Sequence, residues 1–174
     1  QLLRNDLQYA PFSMVGMEKK VQEEVTVNTP ENPIKIRIGG TIDRMDCKGD
    51  TLRIVDYKTG GSPKTPTNIE QLFTPAEGRP NYIFQTFLYA AIMSRQQSLK
   101  VAPALLYIHR AANENYSPVI EMGEPRKPKI PVNNFAFFED EFRERLQTLL
   151  EEIFGNETPF IQTENTKVCE YCDF

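Results

Sequence analysis

The sequence predicts an α/β fold in which a mixed β-sheet is flanked by helices. Three segments rich in β-forming residues come first, at 17–28, 34–46 and 51–58. Residues 81–96 then predict a helix, and the mostly apolar segment 101–110 predicts a strand in a central position of the sheet. Three strands, a helix and a further strand in this order favour one mixed sheet with helices packed against it.

Further elements surround this core. Residues 1–9 are typical of the end of a helix, and 116–121 is expected to add an edge strand. Asn81 is expected to be the N-cap of the central helix. The segment 59–80, with four prolines, predicts a loop long enough to suggest function or mobility. Residues 137–153 predict an amphipathic helix. Its expected apolar stripe consists of Phe138, Phe142, Leu146, Leu149 and Ile153.

Length and composition indicate one soluble globular domain covering 1–174. The 174 residues are enough for a real core, and 40% hydrophobic and 25% charged residues are ordinary values. No apolar run has the length of a membrane span. The net charge of −4 does not by itself indicate nucleic-acid binding, although lysines and arginines cluster locally. Three cysteines are too few for a disulfide framework and favour a reducing, cytoplasmic location. The chain starts without Met and ends within a cysteine motif, so we expect it to be a piece of a longer polypeptide, with 155–174 as a tail.

A hairpin joins the second and third predicted strands. Gly49 and Asp50 suit a two-residue turn, which pairs residues whose numbers add to the same sum. In that register Met45 faces Ile54, and on the opposite face Asp46 lies across from Arg53 as a favourable charge pair.

The same register brings two acids together on the apolar face of the hairpin. Asp43 is expected directly across from Asp56, with β-carbons about 4.5–5.5 Å apart. Two buried like charges repel, so either one is protonated or a cation lies between them. Lys58 is expected on the same face, and a hard cation, Mg²⁺ or Mn²⁺, fits oxygen ligands best. The alternative is a surface hairpin with acidic residues at its end.

Two other patterns carry chemistry. Gln85 and Tyr89 are four residues apart and share one face of the central helix, where they could hold a phosphate, orient water or stack. The alternative is a polar helix face with a half-buried tyrosine. Cys169 and Cys172 are spaced as half of a metal-binding motif, and the alternative is an unstructured tail with free thiols.

These motifs together resemble the RecB/AddB-type branch of the PD-(D/E)xK nuclease superfamily. The resemblance rests on "GGTIDRMD", "LRIVDYKTG" and "QTFLY" within about residues 38–110. It implies a restriction-endonuclease-like core in which Asp43, Asp56 and the carbonyl of Tyr57 bind a catalytic metal. Lys58 would assist the attacking water, and Gln85 and Tyr89 would lie near the DNA backbone.

The resemblance also implies a function and partners. It implies a Mg²⁺- or Mn²⁺-dependent deoxyribonuclease, exonuclease or endonuclease, that acts in double-strand-break repair and recombination with a helicase region and a partner helicase–nuclease subunit. Members often carry an upstream histidine or acid and a four-cysteine [4Fe–4S] cluster. Residues 1–16 contain no histidine, and only Cys169 and Cys172 match the terminal cysteines. Two alternatives remain: a non-catalytic DNA-binding or scaffold module, and a phosphoesterase for smaller substrates.

Overall fold

A four-stranded mixed sheet forms the centre of the computed structural model, which describes residues 2–76, 78–113, 115–155 and 159–162. The strand order is β1-β2-β3-β4; the first three strands are antiparallel, and β4 is parallel to β3. This arrangement confirms the predicted α/β class. The strands are β1 (Ser13–Val27), β2 (Ile34–Lys48), β3 (Thr51–Lys58) and β4 (Lys100–Tyr107).

Helices cover both faces of this sheet. The central helix and the amphipathic helix are confirmed, and a short helix lies inside the segment predicted to be loop. The helices are α1 (Leu2–Tyr9), α2 (Glu70–Phe73), α3 (Asn81–Gln96) and α4 (Ala136–Phe154). No described helix combines the length and the apolar character needed to cross a membrane.

The start of α3 differs from the prediction. Asn81 is the first helical residue rather than the N-cap; Pro80 precedes the helix, and no side chain caps it. Instead, the Oδ1 atom of Asn81 accepts a hydrogen bond of 2.7 Å from Nε of Arg79. Proline suits the beginning of a helix because its fixed φ is already helical and it has no N–H to satisfy.

The main core lies between the sheet and the helices α3 and α4. Phe87 on α3, Phe135 and Phe142 are fully buried, with ring centroids 5.3–5.9 Å apart. Full burial of one such side chain contributes about 1.5–3 kcal/mol. The predicted stripe of α4 is partly wrong: Phe142, Leu146 and Leu150 form the buried face, whereas Ile153 is 40% exposed.

The region after β4 does not form the predicted edge strand. A turn of 3-10 helix (Ile108–Arg110) follows β4, and Val119 makes a single antiparallel bridge to Ala104. A small separate hairpin pairs Glu121–Met122 with Ile130–Pro131. The side chain of Tyr116 is responsible for part of this difference, since its hydroxyl bonds both the N–H of Tyr107 and the carbonyl of Leu105, at 2.8 Å each.

The second face of the β2–β3 hairpin carries a buried charge network. Asp46 is completely buried and accepts three hydrogen bonds of 2.8–2.9 Å, one from Arg44 and two from Arg53. Helix α1 covers this network: Asp6 forms an ion pair of 2.8 Å with Arg44, and the ring of Tyr9 lies 3.5 Å from the guanidinium of Arg53. The network is incomplete at two atoms, Nη2 of Arg44 and Oδ1 of Asp6, which lack a hydrogen-bond partner among the described residues.

Candidate active site

The predicted hairpin register is confirmed. Met45 pairs with Ile54, Asp46 pairs with Arg53, and the ladder closes around a turn in which Gly49 has φ of +61°. Glycine adopts this left-handed conformation without steric penalty. The turn therefore fixes which side chains share a face, and with them the location of the acids.

Asp43 is held in place by its side chain. The recorded β2–β3 ladder ends at Arg44 and Val55, one pair short of the predicted pair of Asp43 with Asp56. The Oδ2 atom of Asp43 instead accepts a hydrogen bond of 2.8 Å from the backbone N–H of Tyr57. This bond places the carboxylate beside the Tyr57 peptide, and its charge acts on Asp56.

Asp56 is a buried carboxylate with few partners. It is 3% exposed, and its Oδ2 atom lies 2.6 Å from Nζ of Lys58. That contact is an ion pair without hydrogen-bond geometry, so Oδ2 has no hydrogen-bond partner among the described residues. Burial raises the pKa of Asp56 above its ordinary value, Lys58 opposes this, and the charge of Asp43 adds to the increase.

Lys58 is the centre of a short chain of contacts that leads into α3. Its ammonium donates a hydrogen bond of 3.1 Å to Oε1 of Gln85 and lies 4.2 Å from the ring centroid of Tyr82. Nε2 of Gln85 in turn donates to the hydroxyl of Tyr89 at 3.0 Å. The four-residue spacing of Gln85 and Tyr89 on one helix face produces this contact.

A glycine makes room for the end of this chain. A Cβ atom on Gly40 would lie 2.5 Å from the hydroxyl oxygen of Tyr89, which is closer than any side chain allows. Tyr89 is 5% exposed and packs directly against the backbone of β2. Two successive glycines inside a predicted strand are a signal of such a close approach, so the sequence contained a clue to this contact.

Contacts connect the predicted residues Asp56, Lys58, Gln85 and Tyr89. Asp43 lies beside them through its bond to the N–H of Tyr57, the residue between Asp56 and Lys58. Sequence reasoning missed the contact of Tyr82 with Lys58 and the close packing at Gly40. Cys169 and Cys172, the predicted iron–sulfur ligands, lie outside the described residues.

The donor set suits a hard divalent cation bound with few protein ligands. The described residues contain no group of three or more His, Cys, Asp or Glu side chains that could hold a metal ion. Two carboxylates are present, one of them with the buried oxygen atom Oδ2 of Asp56 lacking a hydrogen bond. Mg²⁺ is usually bound through one or two carboxylates, with water and substrate phosphate as the other ligands, so Asp43 and Asp56 fit that ion.

Comparison with known proteins identifies a superfamily for the chain. No curated protein matches the chain, and no solved structure matches it. A family model described as the PD-(D/E)XK nuclease superfamily matches residues 1–174, the whole length of the chain. The mixed four-stranded sheet flanked by helices is the fold expected of that family. The chain belongs to the PD-(D/E)XK nuclease superfamily.

Proposed function

We propose that this chain is a metal-dependent deoxyribonuclease domain that hydrolyses phosphodiester bonds in DNA. The observation that carries the proposal is the buried pair of Asp56 and Lys58, next to Asp43, in a member of a nuclease superfamily. Buried carboxylates with a raised pKa and unsatisfied oxygen atoms are concentrated at functional sites.

Asp43, Asp56 and the carbonyl of Tyr57 are the residues that would hold Mg²⁺ or Mn²⁺. A divalent cation at this position supplies positive charge that polarises the scissile phosphate and makes a water molecule more acidic. The hydrogen bond from the Tyr57 N–H fixes one oxygen of Asp43 and leaves its other oxygen for the ion. The ion also relieves the repulsion between two carboxylates in a partly buried site.

Lys58 is suited to position the attacking water. An ammonium group has three donors. In this protein one donates to Gln85, and the contact with Asp56 is an ion pair without hydrogen-bond geometry, so the ammonium can still donate to a water molecule. Gln85 and Tyr89 keep Lys58 in this orientation, because the hydroxyl of Tyr89 fixes the amide of Gln85. Contact of Gln85 and Tyr89 with the DNA backbone stays a prediction.

Replacement of Asp56 by alanine tests the reaction. We expect Asp56→Ala to lower Mg²⁺-dependent cleavage of single-stranded DNA by more than about 100-fold. Mutation of a residue that merely hydrogen-bonds a metal ligand already lowers metal affinity or activity by about 10–100-fold. The matched control is Asp50→Ala, which removes an exposed aspartate from the turn of the same hairpin. Circular dichroism checks that both variants are folded. Cleavage by Asp56→Ala at the rate of the unmodified protein would rule out this mechanism.

A scaffold module that binds DNA without cleaving it is the second candidate. The lack of a third acidic or histidine ligand among the described residues favours it. Isothermal titration with Mn²⁺ separates the two, because a scaffold has no need of a metal site. Binding heat that is present in the unmodified protein and absent in Asp43→Asn would support the nuclease. Comparing the rates of hydrolysis of DNA and of a small phosphodiester separates the nuclease from a phosphoesterase for smaller substrates.

We also propose the wider setting that the motifs support. The domain would be of RecB/AddB type, part of a longer cytoplasmic helicase–nuclease chain that works with a partner helicase–nuclease subunit in double-strand-break repair and recombination. Cys169 and Cys172 would supply two ligands of a [4Fe–4S] cluster in that longer chain. Absorbance of the anaerobically purified full-length protein, with Cys169→Ser as control, tests the cluster. A full-length sequence without helicase motifs would contradict the setting.

A further inference from the structure

A pocket lies beside the candidate active site. It has a volume of about 250 Å³ and is formed by the loop after β3, the beginning of α3 and the end of β4. Its lining includes two cationic side chains, Lys64 and Arg79, and two aromatic ones, Tyr82 and Tyr107. We call it the Tyr82 pocket.

The Tyr82 pocket and the active site share a wall. Tyr82 lines the pocket and is 41% exposed, and the ammonium of Lys58 lies 4.2 Å from the centroid of the same ring. Tyr107, which also lines the pocket, is the neighbour of Lys58 in the ladder between β3 and β4. A group bound in the pocket would therefore lie next to a substrate group that contacts Lys58.

The charges around the pocket are positive. Lys64 and Arg79 line it, and no carboxylate does so in the part of the chain that the structure describes. Nζ of Lys64 donates to the carbonyls of Gly78 and Arg79, and Nε of Arg79 donates to Asn81. These bonds hold both cations at the pocket, and the guanidinium of Arg79 also lies 5.7 Å from the ring centroid of Phe84. Among the described residues, no hydrogen bond is recorded for the third donor of Lys64 or for the terminal nitrogens of Arg79. Two cations, with no carboxylate among the described residues that line the pocket, favour an anionic ligand although the chain has a net charge of −4.

The loop that forms one wall is built to leave the pocket open. Gly61 has φ of +75°, and a Cβ atom there would lie 3.3 Å from the ring of Tyr82. A side chain at this position would be strained and would press against the ring. The space equals about eight water molecules at roughly 30 Å³ each, which suits one base or one sugar–phosphate unit.

We infer that the Tyr82 pocket is a subsite for one unpaired nucleotide of the DNA strand, next to the nucleotide that is cleaved. Lys64 and Arg79 hold its phosphate, and its base or sugar packs against the exposed ring of Tyr82. Aromatic rings bind unpaired bases of any sequence, since every base has a π-face. This subsite rests on the proposed function, and it adds that the substrate strand must be unpaired beside the cut.

Binding without cleavage tests the subsite. The probe is a fluorescent twelve-nucleotide oligo-dT, measured by anisotropy in buffer with chelator so that no metal-dependent reaction occurs. We expect Arg79→Gln to weaken binding by about 5- to 20-fold and to reduce the salt slope by about 0.7, the value for one phosphate contact on a single strand. The matched control is Arg4→Gln, an exposed arginine on α1, on the opposite face of the sheet.

Tyr82 provides a second, independent variant pair. We expect Tyr82→Leu to weaken oligo-dT binding by about 10-fold, whereas Tyr82→Phe keeps the ring and binds as the unmodified protein does. Thermal melting checks that each variant is folded. If Tyr82→Leu is unfolded, the double variant Lys64→Gln/Arg79→Gln is measured in its place. Unchanged affinity in Arg79→Gln would overturn the subsite. A duplex closed by hairpins at both ends should show less than twofold sensitivity to Arg79→Gln, and equal sensitivity would overturn the preference for an unpaired nucleotide.

The two proposals fail in different ways. If the protein cleaves DNA in Mg²⁺ but its affinity for oligo-dT is unchanged by substitution of Arg79 or Tyr82, the subsite is rejected and the nuclease proposal stands. Binding that depends on Arg79 and Tyr82 in a protein without Mg²⁺-dependent cleavage would keep the subsite and reject the nuclease.

Discussion

The β2–β3 hairpin carries a buried aspartate on each of its faces, and the two have opposite surroundings. Asp46 is 0% exposed and accepts three hydrogen bonds from two arginines. Asp56 is 3% exposed and has one ion-pair contact, from Lys58, and its Oδ2 atom has no hydrogen bond among the described residues. Both carboxylates are hidden from solvent, but Asp46 has two arginines and three hydrogen bonds, whereas Asp56 has the single cation Lys58.

We propose that this difference separates a structural charge from a functional one. A buried carboxylate surrounded by guanidinium donors has no oxygen left for a ligand and holds elements together. Oδ2 of Asp56 has the Lys58 ion pair but no hydrogen bond among the described residues, which leaves this carboxylate less satisfied than Asp46 and supports the ligand that we propose. Burial alone does not distinguish the two, whereas the count of donors does.

Replacing each aspartate by asparagine should give the largest contrast. We expect Asp46→Asn to lower the free energy of unfolding by roughly 3–5 kcal/mol, because two buried arginines lose their shared counter-charge. Asp56→Asn should lower it less, because removing this charge also relieves the burial cost and the repulsion from Asp43 that raise the pKa of Asp56. Urea unfolding followed by circular dichroism measures both. Equal destabilisation by the two substitutions would remove the distinction drawn between the faces.

Divalent metal should stabilise only through the face that carries Asp56. At a Mn²⁺ concentration of 100 times its dissociation constant, binding adds about 2.7 kcal/mol to the free energy of unfolding. We expect the corresponding rise in melting temperature in the unmodified protein and in Asp50→Asn, but not in Asp43→Asn or Asp56→Asn. The same rise in all four proteins would show that the ion binds elsewhere.

Gly40→Ala should damage the active-site face without touching the arginine network. The added Cβ would lie 2.5 Å from the Tyr89 hydroxyl, so Tyr89 must shift and its bond with Gln85 is lost. We expect a destabilisation of about 1–3 kcal/mol and a reduced rate of DNA cleavage.

Removal of the clashing hydroxyl provides the control for Gly40. Adding Tyr89→Phe to Gly40→Ala should recover part of the stability, because the closest atom is gone, but not the rate, because Gln85 loses its partner. Recovery of both would mean that the hydroxyl has no part in positioning Lys58.

The smallest expected effect is on pH dependence in metal-free buffer. The pKa of Asp56 is raised in the folded state, chiefly by burial, from an ordinary value of 3.8. The folded protein therefore binds this proton more tightly than the unfolded chain does, and the associated stability is present below pH 3.8 and lost as pH rises through the raised pKa. Urea unfolding between pH 3.5 and 7 should show this loss in the unmodified protein and a flatter profile in Asp56→Asn. Parallel profiles would contradict the raised pKa.

The hairpin was predictable because local rules decide it. The Gly49–Asp50 turn and the Asp46–Arg53 pair fix the register, and that register places Asp43 and Asp56 on one face. The spacing of Gln85 and Tyr89 likewise fixed their common helix face. The sequence argument considered only a proton or a metal between the acids, whereas the structure adds the Tyr57 N–H and the Lys58 ammonium as partners within the chain.

Long-range contacts were the part that local patterns could not supply. Alternation along β2 and β3 suggests a polar outer face at Asp46, and nothing nearby in sequence shows that α1 covers it. The missing edge strand has a related origin, because Tyr116, in the segment that follows β4, bonds back to the backbone of that strand through its side chain, which no strand pattern reveals. Helix α2 is too short for a periodic pattern to be visible.

Tyr57 connects the two faces of the hairpin. Its backbone N–H bonds Asp43, while its hydroxyl accepts a bond of 3.2 Å from Arg44, which in turn is paired with Asp6 of α1. The amino-terminal helix, remote from the reacting groups, thus supports the peptide on which one acid depends. A shortened protein that starts after α1 would hydrate Arg44 and loosen that peptide, so trimming this end to obtain a minimal catalytic core would weaken the very function it was meant to isolate.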